Sequence, residues 1–185
     1  MATGPEIFVL GGSAVGKTAL VIKYLTGKIP EQYDPTIEDR YVTTVKIKEN
    51  DVTFVITDTV GEEEYESIKD DFIRRGDGFV LVMAANWHNS INEVTRLSHR
   101  IRTIREDNPP PAIVVLNKDD MEENREVSTR QLEEIANAFN YDFYEISAVT
   151  GHNLQLIFLD ICEKSCNWRG NLDVMAIEKK KCSIS

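Results

Sequence analysis

Ile7-Phe8-Val9-Leu10-Gly11-Gly12-Ser13-Ala14-Val15-Gly16-Lys17-Thr18 joins an apolar run, a glycine-bounded turn and the start of a helical segment. Residues 7–10 read as a short strand, and a helix follows from about Gly16 until Gly27 and Pro30 end it. The turn between them has the form G-x-x-x-x-G-K-[ST]. In that form backbone N–H groups wrap a polyphosphate and the helix N-terminus adds positive potential. Lys17 then reaches the terminal phosphates, and Thr18 offers a hydroxyl to Mg²⁺. A nucleoside triphosphate is implied, with neither the base nor the reaction named.

Outward from this turn, strands alternate with helices to the end of the chain. Residues 38–48 and 52–58 read as a hairpin with its turn at Asn50-Asp51. Residues 79–85 and 112–116 are continuous apolar runs, as central strands buried on both faces require. Two later helices begin with the capping-box pattern, Ser90-x-x-Glu93 and Ser128-x-x-Gln131. The final helix spans about residues 153–168, with Leu154, Ile157, Phe158, Ile161 and Cys162 on its buried stripe. The pattern predicts an α/β fold of the P-loop nucleotide-binding type: a mostly parallel sheet with one antiparallel edge strand and helices on both faces. We expect one nucleotide-binding domain over residues 1–169 and a flexible tail over 170–185.

Composition narrows the function classes. The 185 residues are 42% apolar and 28% charged, enough for a real core. Lys and Arg number 21 against 31 Asp and Glu, a net charge of −10, which argues against nucleic acid as a partner. Cys162, Cys166 and Cys182 are too few and too clustered for a disulfide framework, and the first two read as core packing. His88, His99 and His152 form no ligand spacing. Arg96, Arg100, Arg102 and Arg105 read as a solvated helix face, the alternative being a face toward a membrane or a partner. We find no secretory or myristoylation signal at the start and no apolar run near the ~20 residues that span a bilayer. The closing Cys182-Ser183-Ile184-Ser185 matches C-a-a-X, directly after Lys179, Lys180 and Lys181.

Asn117-Lys118-Asp119-Asp120 has the form N-K-x-D and follows a buried run. A carboxylate at Asp120 accepts two hydrogen bonds from the N1–H and 2-amino group of guanine, a pair of donors that adenine lacks. Guanine is therefore the expected base. Asp58-Thr59-Val60-Gly61 ends a strand, so Asp58 is placed to hold Mg²⁺ through water and the Gly61 N–H to meet a terminal phosphate. In Tyr33-Asp34-Pro35-Thr36-Ile37-Glu38-Asp39-Arg40-Tyr41, Pro35 biases Asp34 to extended geometry, and Thr36 is expected to complete the metal shell. Ordering of both segments by triphosphate and their release by diphosphate would make a two-state switch.

Together these motifs resemble the Ras-subfamily small GTPases over residues 7–185, and the resemblance implies a six-stranded, mostly parallel sheet with one antiparallel edge strand. An insert after N-K-x-D, typical of the Rho subfamily, is missing, and the single terminal cysteine differs from the usual Rab ending. The resemblance implies a monomer that binds GTP or GDP with Mg²⁺, hydrolyses GTP, and meets effectors, an exchange factor and a GTPase-activating protein. It implies nucleotide contacts from Ser13, Ala14, Val15, Gly16, Lys17, Thr18, Ala19, Ile29, Tyr33, Thr36, Gly61, Asn117, Lys118, Asp120, Ser147, Ala148 and Val149, with Ser147-Ala148 at the guanine O6. Thr18, Thr36 and Asp58 would hold the metal, and residues 33–41 would contact effectors. Catalysis would involve Lys17, Gly61 and Glu62. Farnesylation of Cys182 would place the protein on the cytoplasmic face of the plasma membrane or an endomembrane.

Several residues depart from that family. Glu62 stands where a glutamine usually orients the attacking water; a carboxylate cannot donate to the γ-phosphate and is repelled by it. Ser13 and Ala14 replace loop glycines, and Val60 replaces alanine beside Gly61. We therefore expect impaired hydrolysis, intrinsic and stimulated; the alternative is a non-cycling, constitutively GTP-bound interaction module. Ile29 and Val149 stand where an aromatic ring and a lysine stem commonly cover the base, so faster nucleotide release is expected.

Overall fold

The computed structural model describes residues 4–30, 38–61 and 66–170, with the side chains of residues 66 and 67 excepted. In chain order the elements are β1 (Glu6–Gly11), α1 (Lys17–Thr26), β2 (Glu38–Ile47), β3 (Asn50–Thr59), α2 (Glu66–Arg75), β4 (Gly78–Ala84), α3 (Ser90–Arg105), β5 (Ala112–Asn117), α4 (Thr129–Phe139), β6 (Asp142–Glu145) and α5 (Leu154–Trp168). A single-turn 3₁₀ helix, Glu122–Asn124, precedes α4. The sheet runs β2-β3-β1-β4-β5-β6, with β2 antiparallel to β3 and every other pairing parallel. The expected α/β architecture is the one observed.

Alternation along the central strands splits the core into two layers, because successive side chains of a strand face opposite ways. Ile7 and Val9 of β1 pack with Leu20 and Val21 of α1 and with Ile157, Phe158 and Ile161 of α5. Phe8 and Leu10 face the other way, against Phe72 and Ile73 of α2, Val94, Leu97 and Ile101 of α3, and Leu132 and Ala136 of α4. Cys162 and Cys166 are free thiols buried in the first layer, as expected. The Ser128 capping box is also present, with the Gln131 N–H reaching Ser128 Oγ at 3.3 Å.

Three local expectations are corrected. The hairpin turns at Lys48-Glu49, not at Asn50-Asp51, because Ile47 pairs with Asn50. That register sets Val45 opposite Val52 and joins the Thr44 and Thr53 hydroxyls at 3.1 Å, cross-strand contacts that outweigh the preference of Asn-Asp for turns. Lys48 accordingly adopts a left-handed φ of 54°. Ser90 and Glu93 form no capping box. The Ser90 hydroxyl donates to the Trp87 carbonyl at 2.6 Å and accepts from the Ala84 N–H at 3.1 Å, tying α3 to the end of β4, while Glu93 pairs elsewhere. The arginines of α3 are likewise engaged and not simply solvated: Arg96 binds Glu93, Arg100 binds Asp70, and Arg102 and Arg105 bind backbone carbonyls. Guanidinium groups suit such sites because their planar donor fork meets carboxylates and carbonyls at fixed angles.

Candidate functional site

The carboxyl ends of β1, β3 and β5 bring the motif residues to one edge of the sheet, where ligands of parallel α/β folds bind. The loop after β1 enters α1 through Gly16, whose φ of 97° is left-handed. A Cβ there would lie 2.4 Å from Asn117 Nδ2, so glycine is required for clearance as well as conformation. No side chain caps the start of α1, which leaves its first N–H groups pointing into the loop without that partner.

Lys17 is buried, and its ammonium donates to the carbonyls of Gly12 at 2.8 Å and Gly11 at 3.2 Å. Burial brings its pKa down from 10.5 to about 8, against the opposing pull of Asp58; the nearby Lys69 charge lowers it further and Glu93 raises it. Asp58, at the end of β3, is fully buried, and neither carboxylate oxygen is met by a well-formed hydrogen bond. Burial raises its pKa, although the Thr18 hydroxyl, the Lys17 charge and the Thr59 backbone favour its charged form. A buried carboxylate without a well-formed partner next to a threonine hydroxyl is a donor set suited to a hard cation. Gly61 lies against the loop: a Cβ there would be 2.6 Å from Lys17 Nζ and 2.7 Å from the Gly12 oxygen.

The second half of the site is tied together by side chains. Asn117 Nδ2 donates to the Val15 carbonyl at 2.9 Å, and its Oδ1 accepts from the Ala148 N–H at 3.0 Å, linking the β1 loop to the loop after β6. Ser147 Oγ donates to Asp120 Oδ1 at 2.6 Å and accepts from the Thr150 N–H at 3.0 Å. Lys118 takes a left-handed φ of 66°, and burial lowers its pKa against the opposing charge of Asp120. Asp120 itself faces solvent. Ile29 is 40% exposed and Val149 57%, unusually open positions for apolar side chains.

The structure thus brings Gly16, Lys17, Thr18, Asp58, Gly61 and Asn117 together, and Asn117 links them to the Ser147 and Asp120 group. Tyr33, Asp34, Pro35, Thr36, Ile37, Glu62, Lys179, Lys180, Lys181 and Cys182 lie outside the described residues. Glu38, Asp39, Arg40 and Tyr41 open β2 at the sheet edge, where Glu38 pairs with Arg75 of α2 at 2.9 Å. Two contacts were not read from the sequence. Trp87 packs on the phosphate loop so closely that a Cβ on Gly12 would come within 3.0 Å of its ring. His152 Nδ1 lies 2.5 Å from Asp119 Oδ2, bracing the loop that carries Asp120. Neither residue belongs to a motif, and their partners are far away in sequence.

Fold and loop geometry define a P-loop nucleotide-binding protein. Comparison with known proteins agrees: the Ras family model matches residues 6–167. The chain is also 35% identical to Protein ras-1 of Neurospora crassa over 156 residues, covering 84% of this chain and 73% of that protein. The chain belongs to the Ras family, and it is a small GTPase of the signalling-switch type. Guanine nucleotide, exchange factors, activating proteins and effectors are the ligands and partners general to that family. Among the described residues, no helix is long and apolar enough to cross a membrane.

Proposed function

We propose that this chain is a slowly resetting guanine-nucleotide switch. The observation that carries the nucleotide reading is the pairing of a buried Asp58, whose oxygens lack well-formed hydrogen bonds, and a buried Lys17 with a base loop already linked through Asn117. Phosphates would displace the Gly11 and Gly12 carbonyls as partners of the Lys17 ammonium, replacing contacts to neutral acceptors by contacts to charged ones. Thr18, Thr36 and Asp58 would hold Mg²⁺, which when bound neutralises charge on the β- and γ-phosphates. Asp120, oriented by Ser147, would take the two guanine donors. Ser13, Ala14, Val15, Gly16, Ala19 and Lys118 would line the phosphates and base, with Ala148 at the guanine O6.

Slow reset rests on Glu62, Ser13, Ala14 and Val60. Replacing a donor amide by a carboxylate removes a stabilising contact to the transition state and adds repulsion. A Cβ on Gly61 would lie 2.7 Å from the Gly12 oxygen and the Ser13 Cα, so the exposed Ser13 side chain, with branched Val60 buried beside Gly61, would narrow the place where an activating protein's arginine would enter. The same crowding supports a second reading, a non-cycling module held in the GTP form. Single-turnover hydrolysis decides: Glu62→Gln is expected to speed cleavage by about tenfold or more, equivalent to ~1.4 kcal/mol of barrier. A wild-type rate that matches ordinary family members and is unchanged in Glu62→Gln would overturn slow reset. A rate of zero in both would favour the module.

The active form would present residues 33–41 to effectors, using the β2 edge. Residues 170–185 would serve as the membrane-targeting tail. One prenyl chain on Cys182 gives marginal binding; Lys179, Lys180 and Lys181 would add ~1 kcal/mol each near an anionic leaflet, about a hundredfold together. That places the protein on the cytoplasmic face of the plasma membrane or an endomembrane.

A further inference from the structure

The turn between β4 and α3 is clasped from two sides. The buried Ser90 hydroxyl donates to the Trp87 carbonyl at 2.6 Å, the Ser90 N–H meets the same carbonyl at 3.1 Å, and the Trp87 N–H donates to the Ala84 carbonyl at 3.1 Å. From the segment before α4, the N–H groups of Glu126 and Val127 reach the Ala85 carbonyl at 2.7 and 3.0 Å, and the Glu126 carboxylate accepts from the His88 N–H at 2.9 Å. Backbone bonded on both flanks fixes where the Trp87 side chain leaves the turn. Its indole, 38% exposed, lies on the phosphate loop: a Cβ on Gly12 would be 3.0 Å from Cζ3 and 3.4 Å from Cη2 of the ring. The next nearest atom, Val15 Cγ1, stands at an ordinary contact distance of 3.8 Å. Unlike Gly16, Gly12 has no left-handed φ, so its backbone does not call for glycine. The ring does.

This stretch of the loop is otherwise held by the Lys17 ammonium on the Gly11 and Gly12 carbonyls, and a phosphate competes for that ammonium. The indole contact is apolar and has no share in that exchange. It sets a large, rigid surface with few rotatable bonds against the loop backbone, and its own anchor is a turn that does not belong to the loop. We propose that Trp87 is a positioning residue: its ring braces the phosphate loop through Gly12 and thereby slows the loss of bound nucleotide. The brace acts at the phosphate end, separately from Ile29 and Val149 beside the base. Its retention clause rests on the nucleotide-switch reading; the packing of ring on glycine is a property of the chain alone.

Dissociation of labelled GDP from the full chain tests this, loading being read by native mass spectrometry in the same samples. Trp87→Ala is expected to speed dissociation about tenfold, and Trp87→Phe, which keeps a ring, by no more than about threefold. Gly12→Ala drives a methyl group into the indole, so it is expected to cost about tenfold beside Trp87 and less than about twofold in the Trp87→Ala background, the non-additivity of residues in contact. Equal costs of Gly12→Ala in both backgrounds overturn the proposal, as does a Trp87→Ala rate within about twofold of wild type. A spectroscopic readout keeps the test open if Trp87→Ala does not fold. The chain has two tryptophans, and Trp168 meets Asn108 and Arg105 at the end of α5. In Trp168→Phe the emission therefore reports Trp87 alone and is expected to change saturably as GDP is loaded; constant emission through full loading overturns the proposal. If no GDP is retained, the retention clause falls with the functional reading, and Gly12→Ala must still lower the urea midpoint beside Trp87 but not beside Trp87→Ala; equal losses there overturn the brace as well.

Discussion

The two ends of the proposed nucleotide site are built on opposite terms. At the base end nearly every polar group has a protein partner: Asn117 bridges two loops, Ser147 orients Asp120, and His152 braces Asp119. At the phosphate end the Asp58 oxygens are buried without well-formed hydrogen bonds, and Lys17 makes do with two neutral carbonyls. A preformed base end would supply selectivity without rearrangement. A charge-strained phosphate end would be relieved by the ligand's own charges, which would concentrate affinity there.

That contrast can be broken from either side. The largest effect is expected at the base end, where Asp120→Ala should lower guanosine diphosphate affinity by roughly 10⁴ to 10⁵ in titration calorimetry while leaving the melting temperature nearly unchanged. A modest affinity loss with a large stability loss would mean that Asp120 serves only to hold its loop. At the phosphate end the expected effect is on stability. Between about pH 8 and 10.5 the unfolded chain holds a proton on Lys17 that the folded chain has released, so stability rises with pH across that window. Below it both forms are charged, and the cost of burying the ammonium is fully present. Nucleotide-free protein should therefore gain ~2 kcal/mol in urea unfolding between about pH 7.5 and 9.5, a gain that Lys17→Met abolishes. Smallest is the effect at the margin of the base: Ile29→Phe should slow nucleotide dissociation about two- to tenfold by restoring an aromatic face. An unchanged, already slow off-rate would show that Ile29 takes no part in retention.

How much of this was legible in the sequence follows from the range of each interaction. Gly16-Lys17-Thr18, Asp58 and Asn117-Lys118-Asp119-Asp120 carry their chemistry in contiguous residues, each at the end of an apolar strand, so the phosphate and base ends could both be placed. The apolar run over residues 7–10 was equally local as a strand, whereas its division between two core layers, Ile7 and Val9 against Phe8 and Leu10, depends on the helices packed on each face. Ser90-x-x-Glu93 misled because a local cap competes with tertiary partners: the Ser90 hydroxyl is drawn to β4 and Glu93 to Lys69, 24 residues away. The hairpin turn slipped for a related reason, since cross-strand contacts of Val45 and Thr44 set the register. Arginines at helical spacing on α3 carry no sign of whether they meet water or another helix. Trp87 and His152 act through contacts that have no sequence signature at all.

Which nucleotide the site holds is the most direct test of a guanine-nucleotide switch. Nucleotide-free protein with Mg²⁺ should be titrated with GDP, GTP, ADP and ATP under identical conditions. The expected result is saturable binding of both guanine nucleotides, with adenine nucleotides weaker by about 10⁴ or more. Comparable binding of adenine nucleotides, or no binding of any, would contradict it.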